Sequence, residues 1–97
     1  MLTIWYHRDF DGIASGAILA DVLRWRGRAD VRWQGVNYDV RGRWSQWGED
    51  GAEFAVVDFH FHPRAAFWFD HHPTTFLTEE WRRLYAPSER WRFDPEA

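Results

Sequence analysis

Three short apolar runs in this chain each stop at side chains that can ligate a cation. Leu2-Thr3-Ile4-Trp5-Tyr6 gives way to His7-Arg8-Asp9-Phe10-Asp11, Glu53 through Val57 to Asp58, and Ala66-Phe67-Trp68-Phe69 to Asp70-His71-His72. Runs of this length, rich in β-branched and aromatic residues and ended by polar groups, predict strands. Between them the period changes. From Gly12 to Trp25 the residues Ala14, Ile18, Val22 and Trp25 recur at steps of three or four, which predicts a helix burying that face, with Asp11 as its N-cap.

Val31 to Tyr38 predicts a further strand after a turn at Gly27-Arg28-Ala29-Asp30. Arg41 to Trp47 predicts a short helix ended by Gly48-Glu49-Asp50-Gly51, and Thr78 to Tyr85 a helix capped by Thr78, with Glu79 and Glu80 in its first turn. Strands alternating with helices imply an α/β fold, here a Rossmann-like three-layer domain with a mostly parallel sheet, expected to be incomplete at this length. Residues 1–85 carry the domain, and 86–97, with Pro87 and Pro95, read as a linker or a truncated element.

Composition removes several classes of function. Aromatics at 20%, with eight Trp and eight Phe, are too much apolar side chain for a disordered tail. For a chain this small several tryptophans are expected at the surface, with Trp44, Trp47, Trp81 and Trp91 the ones to place. A formal charge of −3 gives no global basic field for nucleic acid, and the arginines at 24, 26, 28, 82, 83, 90 and 92 read as solvated helix faces. The absence of Cys excludes disulfides and thiolate zinc sites, so a transition metal would rest on imidazole and carboxylate. No apolar stretch approaches the roughly 20 residues of a membrane span, and a cytoplasmic setting is expected.

In a parallel α/β sheet, ligands bind beyond the carboxyl ends of the strands. His7, Asp9 and Asp11, then Asp58, then Asp70, His71 and His72 would therefore meet at one edge. So many carboxylates at close quarters repel one another unless a divalent cation neutralises them. Oxygen ligands with a few imidazoles suit Mn²⁺, with Mg²⁺, Fe²⁺, Co²⁺ or Zn²⁺ as competitors. A rival reading is a structural zinc site from His60, His62, His71 and His72, although His60 and His62, alternating with Phe59 and Phe61, fit a partly exposed loop better.

The segment His7-Arg8-Asp9-Phe10-Asp11-Gly12-Ile13-Ala14-Ser15-Gly16 resembles the first motif of the DHH phosphoesterase superfamily. Val56-Val57-Asp58 resembles its second, and Phe69-Asp70-His71-His72-Pro73 the motif that names it. The likeness spans residues 1 to about 75 and marks the chain as similar to the N-terminal part of a DHH domain. It implies a hydrolase of phosphodiester or phosphoanhydride bonds, acting on nucleotides or short single-stranded oligonucleotides with two Mn²⁺ ions. By resemblance His7 and Asp9 hold one ion and Asp11 the other, Asp58 bridges both, and His71 completes the second. His72 contacts a substrate phosphate, Asp70 orients the histidine pair, and Gly12 leaves backbone space and a helix N-terminus toward the anion. Asp58, His71 and His72 are the catalytic candidates. Ser15 and Gly16 fit the motif but equally suit packing of helix on sheet.

The chain departs from that pattern in three places. The superfamily's fourth, metal-binding aspartate has no clear counterpart: Asp94 is the only aspartate after Asp70 and is assigned no role. The C-terminal lobe that grips substrate lies outside the chain, which is thus expected to be a fragment of an active enzyme, or alternatively a catalytically incomplete metal- or phosphate-binding module. The spacing from Asp58 to Asp70 is short for a parallel crossover, so those strands should be joined irregularly. The single residue between His7 and Asp9 is the compact form of the first motif, nearer to nuclease and nucleotide-phosphodiesterase branches than to manganese pyrophosphatases.

Overall fold

The computed structural model describes residues 1–28 and 30–95; Ala29, in the expected turn, and Glu96 and Ala97, in the expected tail, lie outside the described residues. Five strands form one sheet: β1 (Leu2–His7), β2 (Val31–Val36), β3 (Phe54–Val57), β4 (Phe67–Asp70) and β5 (Trp91–Phe93), in the order β2-β1-β3-β4-β5. Every neighbouring pair is parallel, for example Ile4 beside Ala55 and Val56 beside Trp68. The α/β expectation holds, with a wholly parallel sheet. All four β3 residues are buried, as a central strand covered on both faces requires.

Helix α1 (Phe10–Trp25) covers one face over β1, β2 and β3. Its buried side differs from the expected one. Gly12, Gly16, Ala20 and Leu23 face the sheet, whereas Ile18 is 65% and Trp25 86% exposed. Small residues let the helix lie close: a Cβ on Gly16 would stand 3.5 Å from Tyr6. The N-cap is Asp9 rather than Asp11, because it is the Asp9 carboxylate that accepts the Gly12 amide at 2.7 Å. The helix stops at Gly27, whose φ of +95° suits glycine alone, with the amides of Gly27 and Arg28 returning to Arg24 and Leu23.

The other face is aromatic. A 3-10 helix (Tyr38–Gln46), longer and starting earlier than expected, brings Val40 and Trp44 onto Val36, Phe54, Val56, Phe59, Phe61 and Trp68. Short helix α2 (Glu79–Leu84), capped as expected by Thr78 on the Trp81 amide at 3.0 Å, adds Trp81 and Tyr85. Trp44 is fully buried, while Trp47, Trp81 and Trp91 pack partly buried against this core; the exposed tryptophans are Trp25 and Trp33. Within the segment expected to be a linker or truncated element, Trp91–Phe93 pairs with Trp68–Asp70 as a fifth strand.

The β3–β4 connection carries no helix, as its length demanded. It runs as a buried segment through Phe59, His60, Phe61 and His62, with exposures of 1, 3, 0 and 0%. That overturns the partly exposed loop expected for the two histidines. Buried backbone needs partners, and the core tryptophans supply them: the Trp68 and Trp44 indoles donate to the Phe59 and Phe61 carbonyls at 3.0 and 3.2 Å.

Candidate metal centre

The chain runs from β1 outward to β2 and then back across to β3, so the strand order reverses between β1 and β3. Crevices at the carboxyl ends of strands flanking such a reversal are where parallel sheets bind ligands. His7 ends β1 there and Asp9 comes just after it, and Asp58 follows β3. Asp70 closes the adjacent β4, and His71 and His72 come directly after it.

These side chains converge into two groups that share one member. Atoms of His7, Asp9 and Asp58 lie within 4.8 Å of one another, and so do atoms of Asp58, Asp70, His71 and His72. Asp58 holds its place by an unusual backbone, a non-glycine residue at φ +57°, with its amide donating to the Phe69 carbonyl at 2.8 Å. Its Oδ1 lies 2.9 Å from His71 Nε2. The His72 ring donates through Nδ1 to Asp70 Oδ1 at 2.6 Å, and His7 through Nδ1 to Asp9 Oδ2 at 2.9 Å. Asp70 thus holds the ring of His72 while itself belonging to the second group.

Burial makes this arrangement costly without a cation. Asp58 and Asp70 are 4 and 6% exposed, and the Oδ2 of each is a buried oxygen with no hydrogen-bond partner among the described residues. Burial, reinforced by the neighbouring Asp9 carboxylate, pushes the Asp58 carboxyl up to about 6, with the His71 hydrogen bond opposing. Asp9 goes the other way: burial opposes, but the Gly12 amide, the neighbouring Asp58 carboxyl and the His7 ring hold it below the usual carboxylate range. His72 is raised: burial opposes, but Asp70, by hydrogen bond and charge, together with Asp58 and Asp9 outweighs it.

A divalent cation fits this donor set. It would occupy the orphaned oxygens and neutralise the clustered charge. The buried Asp and His cluster can therefore hold a metal ion.

Other expected residues stand apart. Asp11 is exposed and belongs to neither group among the described residues, although it lines the same cleft of about 420 Å³ with Asp58, Asp70 and His71. Asp94, just beyond β5, lines that cleft too, its amide donating to the Asp70 carbonyl at 3.0 Å. Because the tail reads as a linker, only the position of β5 could have brought Asp94 to this edge. The Gly12 amide is engaged by Asp9. What the fold takes from Gly12 is space, since a Cβ would fall 2.0 Å from the His7 carbonyl oxygen. The rival zinc set divides: His62 lies in the aromatic core between Trp44, Phe54 and Trp81, away from His71 and His72.

No family model matches the chain, and no curated protein or solved structure matches it. No helix is long and apolar enough to cross a membrane.

Proposed function

We propose that this chain is the metal-binding part of a metal-dependent phosphoester hydrolase of the DHH type, acting through two divalent cations, Mn²⁺ foremost, on nucleotides or short oligonucleotides. The observation that carries the reading is the pair of ligand groups sharing Asp58, each built from the residues the sequence motifs single out. A bridging carboxylate between two groups is what a two-cation clamp on one phosphoryl group requires. Bound there, the cations would lower the pKa of a water and offset charge developing on the phosphoryl oxygens. The chain's own parts have separable tasks: His7 and Asp9 hold one side, Asp58 spans both, His71 serves the other, and Asp70 fixes the His72 ring toward the substrate phosphate.

The test is hydrolysis of bis-p-nitrophenyl phosphate, a short oligonucleotide or a cyclic dinucleotide with Mn²⁺, using the protein and Asp58→Asn. Turnover that needs Mn²⁺ and falls at least a hundredfold in the variant is expected, as for loss of one principal electrostatic contact. The placement of Asp11 outside both groups favours a second reading, a metal- or phosphate-binding module without turnover. Tight Mn²⁺ binding with no hydrolysis of any of these esters would select it.

A further inference from the structure

The 3-10 helix begins directly after β2, so its first turn overhangs the carboxyl edge of the sheet. Two residues of that turn are arranged with more care than a surface turn needs. The Tyr38 ring lies 4.7 Å from that of His7 and stacks on Phe59 at 5.5 Å. The Arg41 guanidinium sits over the Tyr38 ring at 4.7 Å and donates through Nε to His60 Nε2 at 3.1 Å. His60 in turn donates through Nδ1 to the Thr75 carbonyl at 3.0 Å, which fixes its tautomer and leaves Nε2 as an acceptor aimed at Arg41. The Thr75 amide closes the chain by donating to the His72 carbonyl at 3.2 Å. Arg41 is therefore tied to both halves of the metal centre, through rings to His7 and through hydrogen bonds to the His72 loop.

A solvent-facing arginine ordinarily keeps its rotamer freedom. Here a histidine only 3% exposed is devoted to orienting one. No ion pair among the described residues consumes its charge. With Nε engaged, the guanidinium keeps four N–H donors on its two Nη atoms, in the planar fork that matches two oxygens of a phosphate. The Tyr38 hydroxyl, raised chiefly by burial and then by Asp70, Asp58 and Asp9, with Arg41 opposing, sits among these same charges.

We infer that Arg41 is a preorganised phosphate-binding residue at the lip of the metal centre, held by His60 and Tyr38 so that its fork grips the oxygens of a phosphate mono- or diester presented to the Asp58 cluster. This rests on the metal-centre reading for where the ester lies, but not for whether Arg41 binds phosphate. It also gives His60 a purpose: positioning Arg41 rather than ligating metal or filling a loop.

The test is calorimetric titration of orthophosphate into the full chain, with and without Mn²⁺, for the wild type, Arg41→Ala, Arg41→Lys and the control Arg43→Ala. Arg43 is exposed on the same 3-10 helix and lines a different groove, with Trp5 and Trp47, so its loss matches the change in net charge. Arg41→Ala should weaken phosphate binding roughly tenfold to a hundredfold, the loss of one or two charge-assisted hydrogen bonds. Arg41→Lys should recover only part, and Arg43→Ala should change affinity less than about threefold, as screened surface charge does. Mn²⁺ affinity measured without phosphate should not move in any variant. Phosphate that binds Arg41→Ala as well as the wild type, or fails to bind the wild type, overturns the assignment even if Mn²⁺ binds. Arg41-dependent phosphate binding in a chain that takes up no Mn²⁺ would keep the assignment and remove the metal-centre reading instead.

Discussion

The two faces of the sheet are built from different materials. On one, Leu2, Ile4, Val31, Ala55 and Val57 form an aliphatic cluster with Ala20 and Leu23 of α1, and the helix leaves Ile18 and Trp25 in solvent. On the other, Trp44, Trp68, Phe59 and Phe61 are buried to 1% exposure or less, and their ring edges and indole N–H groups brace the backbone leading from Asp58 toward Asp70. The aromatic face thus does the positioning. The strands deliver Asp58 and Asp70 to one edge, but it is the packed β3–β4 segment that keeps them there without a crossover helix.

If that contrast is right, the faces should break unequally. Trp68→Ala removes a fully buried ring and the donor to Phe59, and should cost about 3–5 kcal/mol in urea unfolding. A loss under about 1 kcal/mol would mean the aromatic face does not carry the fold.

The faces meet at groups that titrate in opposite senses. His62 lies in the aromatic core, where burial, and then Arg64, hold its imidazole down to about 4. Its folded pKa lies below its unfolded value, so its contribution is present above pH about 6.5 and is lost as pH falls through about 4, amounting to roughly 3 kcal/mol at most. His62→Leu should flatten the fall of metal-free melting temperature over that window. Asp58 is raised to about 6 by burial and Asp9. Its stabilising contribution is complete below the usual carboxylate value near 4 and disappears as pH rises through about 6. Asp58→Asn should therefore gain most over the metal-free wild type above pH 6, in the same melting series. A wild-type advantage there would refute the uncompensated carboxylate. The smallest effect is expected on the solvent face of α1: Ile18→Ser should stay within about 0.5 kcal/mol of wild type in urea, as an exposed site does.

Much of this was legible in the sequence. Apolar runs ending in carboxylate or imidazole gave the strands β1, β3 and β4, and with them the edge where His7, Asp9, Asp58, Asp70, His71 and His72 gather. The buried side of α1 was legible only at Gly16, which packs on Tyr6 while its neighbour Ser15 is exposed, because large apolar residues dominate the helical period and the fold uses Gly12, Gly16 and Ala20 for close approach. Strand β5 was hidden by its length and by Arg90 and Arg92, tolerable because it is an edge strand. The burial of His60 had no local sign, since its partners, the Thr75 carbonyl and Arg41, lie 15 and 19 residues away. For the same reason nothing in the motif spacing pointed to Arg41.

In the proposed function, the buried Asp58 carboxylate joins two cation sites. Titrating Mn²⁺ into metal-free protein by calorimetry, beside Asp58→Asn, tests it most directly. The account predicts two ions per chain for the wild type, a melting temperature that climbs with Mn²⁺, and loss of at least one ion and most of that climb in the variant. Wild-type protein that is folded yet binds no Mn²⁺, or a variant that binds it with unchanged stoichiometry and affinity, would contradict it.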